Sequence, residues 1–114
     1  MLNQDEYYSI LVRDNFTCKQ CGKTPGISGL QIAHRIKNGV GTENYIQNYY
    51  HLKHGFNFAL SMKTIKAIIN HPDNLVTVCS LRCNDKQNIF YNPVERDELL
   101  LQIIDKVVFN KGVA

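Results

Sequence analysis

The chain has 114 residues, 44% of them hydrophobic and 20% charged, with a formal net charge of +3. That is the size and balance of one globular domain, read here as spanning residues 1–114. No stretch is apolar for long enough to span a bilayer, and the start, Met1-Leu2-Asn3-Gln4-Asp5-Glu6, lacks the basic and apolar regions of a secretory leader. A cytoplasmic protein with no membrane partner is expected. Its four cysteines are then expected to be reduced and free for metal rather than disulfide-bonded. The mild positive charge permits nucleic-acid binding without arguing for it.

In chain order, residues 3–14 read as a helix, with Tyr7, Ile10 and Leu11 at helical spacing, Asp5 and Glu6 in the first turn, and Asn15 as a stop. Cys18-x2-Cys21-Gly22 follows, the glycine allowing a tight turn around an ion. Lys23 to Gly29 is a loop. Leu30 to Ile36 alternates and predicts a half-buried strand, with Leu30, Ile32, His34 and Ile36 on one face and Gln31, Ala33 and Arg35 on the other. Lys37 to Gly41 breaks it.

The tyrosine-rich stretch 43–53 is expected to be helical, and Phe58, Met62, Ile65 and Ile69 predict an amphipathic helix over 58–69. Together these make a helical insert at about 42–70. Pro72 stops it. Leu75 to Val78 reads as a second strand, and residues 81–90 as a helix. Asn92-Pro93-Val94-Glu95 is a helix start, followed by an apolar stripe of Leu99, Leu100, Ile103, Ile104, Val107 and Val108.

The cysteines fall into two close pairs, Cys18/Cys21 and Cys79/Cys83. Four thiolates suit a closed tetrahedral zinc site. Such a site is a structural staple and offers no open position for chemistry. The alternative, two unrelated pairs of buried thiols, leaves the pairing itself unexplained.

A Cys-x2-Cys knuckle, then Ala33-His34-Arg35-Ile36, then Asn74-Leu75-Val76-Thr77-Val78-Cys79-x3-Cys83-Asn84-Asp85-x2-Asn88, resembles the HNH endonucleases of the zinc-stapled ββα-metal type, in an HNN-like variant. The resemblance covers roughly residues 13 to 95. It implies an α+β fold: a small treble-clef-like ββα-metal core with a four-cysteine zinc site, flanked by N- and C-terminal helices and the insert.

The resemblance also implies a bacterial or phage DNA endonuclease. His34 matches the general base. Asn74 matches the asparagine that supports the loop carrying it. Asn84 and Asn88, one turn apart on a helix, match the positions that hold a catalytic divalent ion, Mg²⁺, Mn²⁺ or another transition metal. Ala33 departs from the pattern, because the family places a metal-binding Asp or His there. Asp85 and His71 are the nearest replacements in sequence.

Arg35, Lys37, Arg82 and Lys86 flank both halves and are expected to meet DNA phosphates. His51 and His54 are expected to be exposed. Structural roles are the alternative for each residue: a core histidine at 34, a turn asparagine at 74, a solvated helix face at 84 and 88. The alternative for the whole chain is a zinc-stapled nucleic-acid-binding module without catalysis, or an interaction module built on the insert. Monomer and homodimer are equally open.

Overall fold

The computed structural model describes residues 2–55 and 59–109. Five helices and two strands follow in the order α1 (Gln4–Arg13), β1 (Gln31–His34), α2 (Val40–His54), α3 (Met62–Ile69), β2 (Leu75–Val78), α4 (Leu81–Gln87) and α5 (Pro93–Val107). Short 3-10 turns precede each strand, at Ile27–Gly29 and Pro72–Asn74. The fold is α+β, with one antiparallel pair in which Gln31 faces Val78, Ala33 faces Val76 and His34 faces Leu75.

Side-chain caps set most of the helix starts. Asn3 and Glu6 form a reciprocal capping box at α1. Ser61 caps α3, Ser80 caps α4 and Asn92 caps α5, with Pro93 in the first turn. α2 instead begins after Gly39, whose φ of 143° is open to glycine and strained for other residues. It runs from Val40 to His54, longer than the 43–53 expected. α3 starts at Met62, later than expected, because Ser61 caps it there; Phe58 lies outside the described residues. α4 stops at Gln87 rather than near residue 90, because Asn88 leaves the helical conformation.

Two apolar clusters result. The larger joins Ile46, Tyr49 and Tyr50 of α2, Ile65, Ile68 and Ile69 of α3, and Leu100, Ile103 and Ile104 of α5, with Ile36 and Ile89 completing it. The smaller contains Cys18, Ala33, Val76, Val78 and Cys83. The apolar stripe read for α5 is the one that faces the larger cluster.

The apolar face expected from the alternation is buried at its ends, Leu30 and Ile36, but not within β1 itself. Ala33 is fully buried, while Ile32 and His34 are only half-buried. Ala33 and its cross-strand partner Val76 lie under the knuckle and Cys83 of α4, so the small residue sits where the packing is closest. The other face, towards α1, stays partly open at the His34 end.

α1 is tied to the sheet by its last residues. Asp14 is buried; its carboxylate accepts the Thr77 N–H at 2.9 Å and two N–H groups of Arg13 at 2.9 and 3.0 Å. Arg13 also donates to the carbonyl oxygens of Pro72 and Leu75. Burial alone pushes the Asp14 carboxyl up; the hydrogen bonds from Arg13 and Thr77 outweigh it and hold it below the usual carboxylate range.

Candidate metal centre and the histidine cleft

The four cysteine sulfurs converge. All lie within 4.8 Å of one another, with Cys21 and Cys79 at 3.4 Å and Cys79 and Cys83 at 3.9 Å. A disulfide would need about 2.05 Å. Thiolates around tetrahedral zinc, each about 2.3 Å from the ion, stand about 3.8 Å apart. The sulfurs thus have the spacing of a metal cage and can hold zinc or another metal.

Local hydrogen bonds build each half of the cage. The Cys18 N–H donates to the Lys23 carbonyl at 2.8 Å, and the Gly22 N–H returns to the Cys18 carbonyl at 2.8 Å. Gly22 has a φ of 83°. A Cβ there would meet nothing within 4 Å, so backbone conformation rather than space calls for glycine. The Lys19 N–H donates to the Thr77 carbonyl at 2.9 Å and docks the knuckle on β2. On the other side the Ser80 hydroxyl accepts from the Cys83 N–H at 3.1 Å, fixing the first turn of α4 and the sulfur it carries.

The thiols are electrostatically unequal. Burial pushes the Cys18 thiol up, but the N–H groups of Cys21 and Gln20 at its sulfur outweigh burial and lower it to about 6. Cys79 is pushed up to about 12, first by its hydrogen bond with Cys21 and then by burial. The Cys18 thiolate therefore forms readily, and Cys79 resists joining it. Cys18, Cys21, Cys79 and Cys83 would hold a divalent cation as thiolates, and its binding would favour loss of their protons. A tetrathiolate centre keeps excess negative charge, and Lys23, Arg82 and Lys86 line the cleft on its exposed side.

His34 lies elsewhere. It opens on a cleft of about 510 Å³ lined also by Leu2, Tyr7, Gln31, Ile32, Asn38 and Asn70. Its Nε2 is 2.8 Å from Asn70 Oδ1. Among the described residues, no lysine or arginine lines this cleft.

Asn74 is fully buried and bonds three ways. Its Oδ1 accepts the Ile36 N–H at 2.7 Å, and its Nδ2 donates to the carbonyls of Ile36 at 3.0 Å and Ile69 at 2.8 Å. The side chain thereby clamps the segment leaving β1, two residues beyond His34, to the end of α3.

The helix amides are placed differently. Asn84 Nδ2 donates to Gln31 Oε1 at 3.4 Å, and Asn88 Oδ1 accepts the Phe90 N–H at 2.9 Å as a turn cap. Neither hydrogen-bonds His34, although Gln31 touches both the Asn84 amide and the His34 cleft. Asp85 is exposed on α4. His71 accepts from the Asp73 N–H at a chain turn. Among the described residues, the four thiols are the sole group of three or more His, Cys, Asp or Glu with converging ligand atoms.

The four expected DNA-contacting cations are dispersed. Arg35 lies between a cleft lined by Glu95 and Glu98 and another lined by Lys19, Gln87 and Gln102. Lys37 donates to the Tyr91 hydroxyl at 2.7 Å and sits over the Phe90 and Tyr91 rings. Arg82 and Lys86 belong to the sulfur-side cleft. His54 is exposed, with its ring tilted against those of Tyr50 and Phe109, whereas His51, expected to be exposed, is half-buried.

Sequence reading missed Asn70 and Asp14. Asn70 follows an apolar stripe just before His71-Pro72, the position of a helix-ending residue, and that local role hid its contact with His34. Among the described residues, no helix is long and apolar enough to cross a membrane. Compared with protein-family models, curated proteins and solved structures, the chain matches none.

Proposed function

We propose that this chain is an HNH-like phosphodiester hydrolase that acts on DNA, built on a treble-clef-like core stapled by zinc. His34 takes the proton of a water molecule as that water's oxygen attacks phosphorus, and the 3′ oxygen leaves, giving a 5′-phosphate end. Neutral imidazole is the side chain suited to this near neutral pH.

One observation carries the reading. The buried Asn74 clamps the segment just beyond His34 through both backbone groups of Ile36, the supporting role that the resemblance gives to this asparagine. His34 is thereby held at the edge of an open cleft of mixed lining rather than in the core.

The divalent ion that the resemblance brings is less well provided for. Ala33 has no ligand atom, Asn84 is bonded to Gln31, Asn88 caps a turn and Asp85 stands apart on the exposed helix face. This scarcity of anionic donors favours a second reading, a zinc-stapled nucleic-acid-binding module that does not cleave.

Nicking of supercoiled plasmid separates the two. Zinc-loaded protein is assayed with Mg²⁺, Mn²⁺ or Ni²⁺ beside His34→Ala. The first reading expects nicking that falls by about 10²–10⁴-fold in the variant. Equal activity in both proteins removes His34 from the mechanism. Salt-dependent binding with no nicking under any ion selects the second reading.

A further inference from the structure

We infer that Asn70 is a positioning residue for His34: its side-chain oxygen fixes the imidazole as the Nε2–H tautomer, leaving Nδ1 as the nitrogen that accepts a proton. The assignment of a chemical use to Nδ1 rests on the hydrolase reading above; the tautomer itself does not.

An amide oxygen can only accept a hydrogen bond. With Asn70 Oδ1 at 2.8 Å, His34 Nε2 must therefore be the donor. In a neutral ring the other nitrogen then holds the lone pair, since the bond made by one nitrogen decides the state of the other. Among the described residues, no side chain hydrogen-bonds Nδ1. The nearby Tyr7 hydroxyl is committed to the Leu30 carbonyl at 2.9 Å, and Gln31 Oε1 to Asn84.

Asn70 is itself well anchored. It ends α3, with its own N–H on the Lys66 carbonyl at 2.9 Å, and the following His71 N–H on the Ile68 carbonyl at 3.2 Å. The preceding Ile69 carbonyl is taken by Asn74 at 2.8 Å. Ile65, Ile68 and Ile69 bury the helix behind it. The helical insert thus delivers the group that orients His34, and Asn74 clamps both the helix end and the segment beyond the imidazole.

The test is a long-range ¹H–¹⁵N correlation spectrum of the imidazoles in zinc-loaded, ¹⁵N-labelled protein at alkaline pH, where the ring is neutral. His34 is assigned by the signals missing from His34→Ala. The wild-type ring should show a protonated Nε2 and an unprotonated Nδ1 with no averaging. In Asn70→Ala both ring shifts should move towards those of a tautomer mixture, while Asn70→Asp, which keeps an acceptor oxygen, should restore the single form. The His71 signals report whether each variant keeps the fold.

A predominantly Nδ1–H ring in wild-type protein, or averaged shifts there, overturns the inference without recourse to any variant. So does a His34 spectrum unaltered in a folded Asn70→Ala. The expected spectrum in a protein that nicks no DNA would sink the hydrolase reading and leave the tautomer assignment standing.

Discussion

The half of the molecule around the sulfurs and the half around α5 are held together by different means. The α5 side buries Ile, Leu and Tyr from three helices in one continuous cluster. The sulfur side buries two cysteines, one alanine and two valines, with no large side chain among them. Apolar burial at about 25 cal/mol per Å² is therefore concentrated in the first half, while the sheet side adds only Ile10, Leu11, Leu30 and Leu75 to the small residues around the sulfurs. What it has instead is a cage of sulfurs and a short list of directed hydrogen bonds. An ion held by those sulfurs would close a cluster that has no large side chain of its own.

The largest test of this contrast is to remove the ion. Chelation of purified protein, or Cys83→Ser, should release one equivalent of zinc. Bound metal contributes on the order of 10 kcal/mol to such sites in apparent terms. Hydrogen exchange at β1, β2 and the knuckle should rise sharply, while α2, α3 and α5 keep much of their protection. Collapse of both halves together would break the comparison.

Ile103→Ala sharpens it from the other side. Ile103 is fully buried in the helical cluster, and its truncation should cost about 2–5 kcal/mol in denaturant unfolding. Zinc stoichiometry should not change, because no residue of α5 belongs to the sulfur cluster.

The smallest of the three effects concerns the hydrogen bonds that supplement the ion. Asp14→Asn should cost about 1–3 kcal/mol at neutral pH. Asp14 is held below the usual carboxylate range when folded, so its contribution is fully present above the unfolded value. It is lost as pH falls through the depressed folded value, because the unfolded chain takes up the proton first. Wild type and variant should therefore converge in acid. A difference that persists unchanged at low pH would show that the carboxylate's charge is not what holds α1 to β2.

Local signals in the chain were legible where the physics is local. The Asn92-Pro93 start, the strand at Leu75–Val78 and the two cysteine pairs could be read directly, because caps, short apolar runs and ligand spacing act over a few residues. The buried face of β1 could not. Its alternation put Ile32 and His34 on the apolar face, but Ala33 is the strand residue buried with Cys18 of the knuckle and Cys83 of α4. Asn70 and Asp14 were opaque for a related reason. Each resembles an ordinary helix-end residue, and its partners, His34 and Thr77, are distant in sequence.

Asn74 has one more consequence. By gripping Ile36 and Ile69 at once, it closes residues 37–69 at a single neck. Because closing a chain excursion costs only about 0.6 kcal/mol more for each doubling of its length, the neck tolerates changes in what lies beyond it. That stretch could be exchanged for a graft of different length, provided the newcomer supplied an apolar face for α5 and left Asn70 in reach of the imidazole. The amide at position 74 is in this sense the splice point of the architecture.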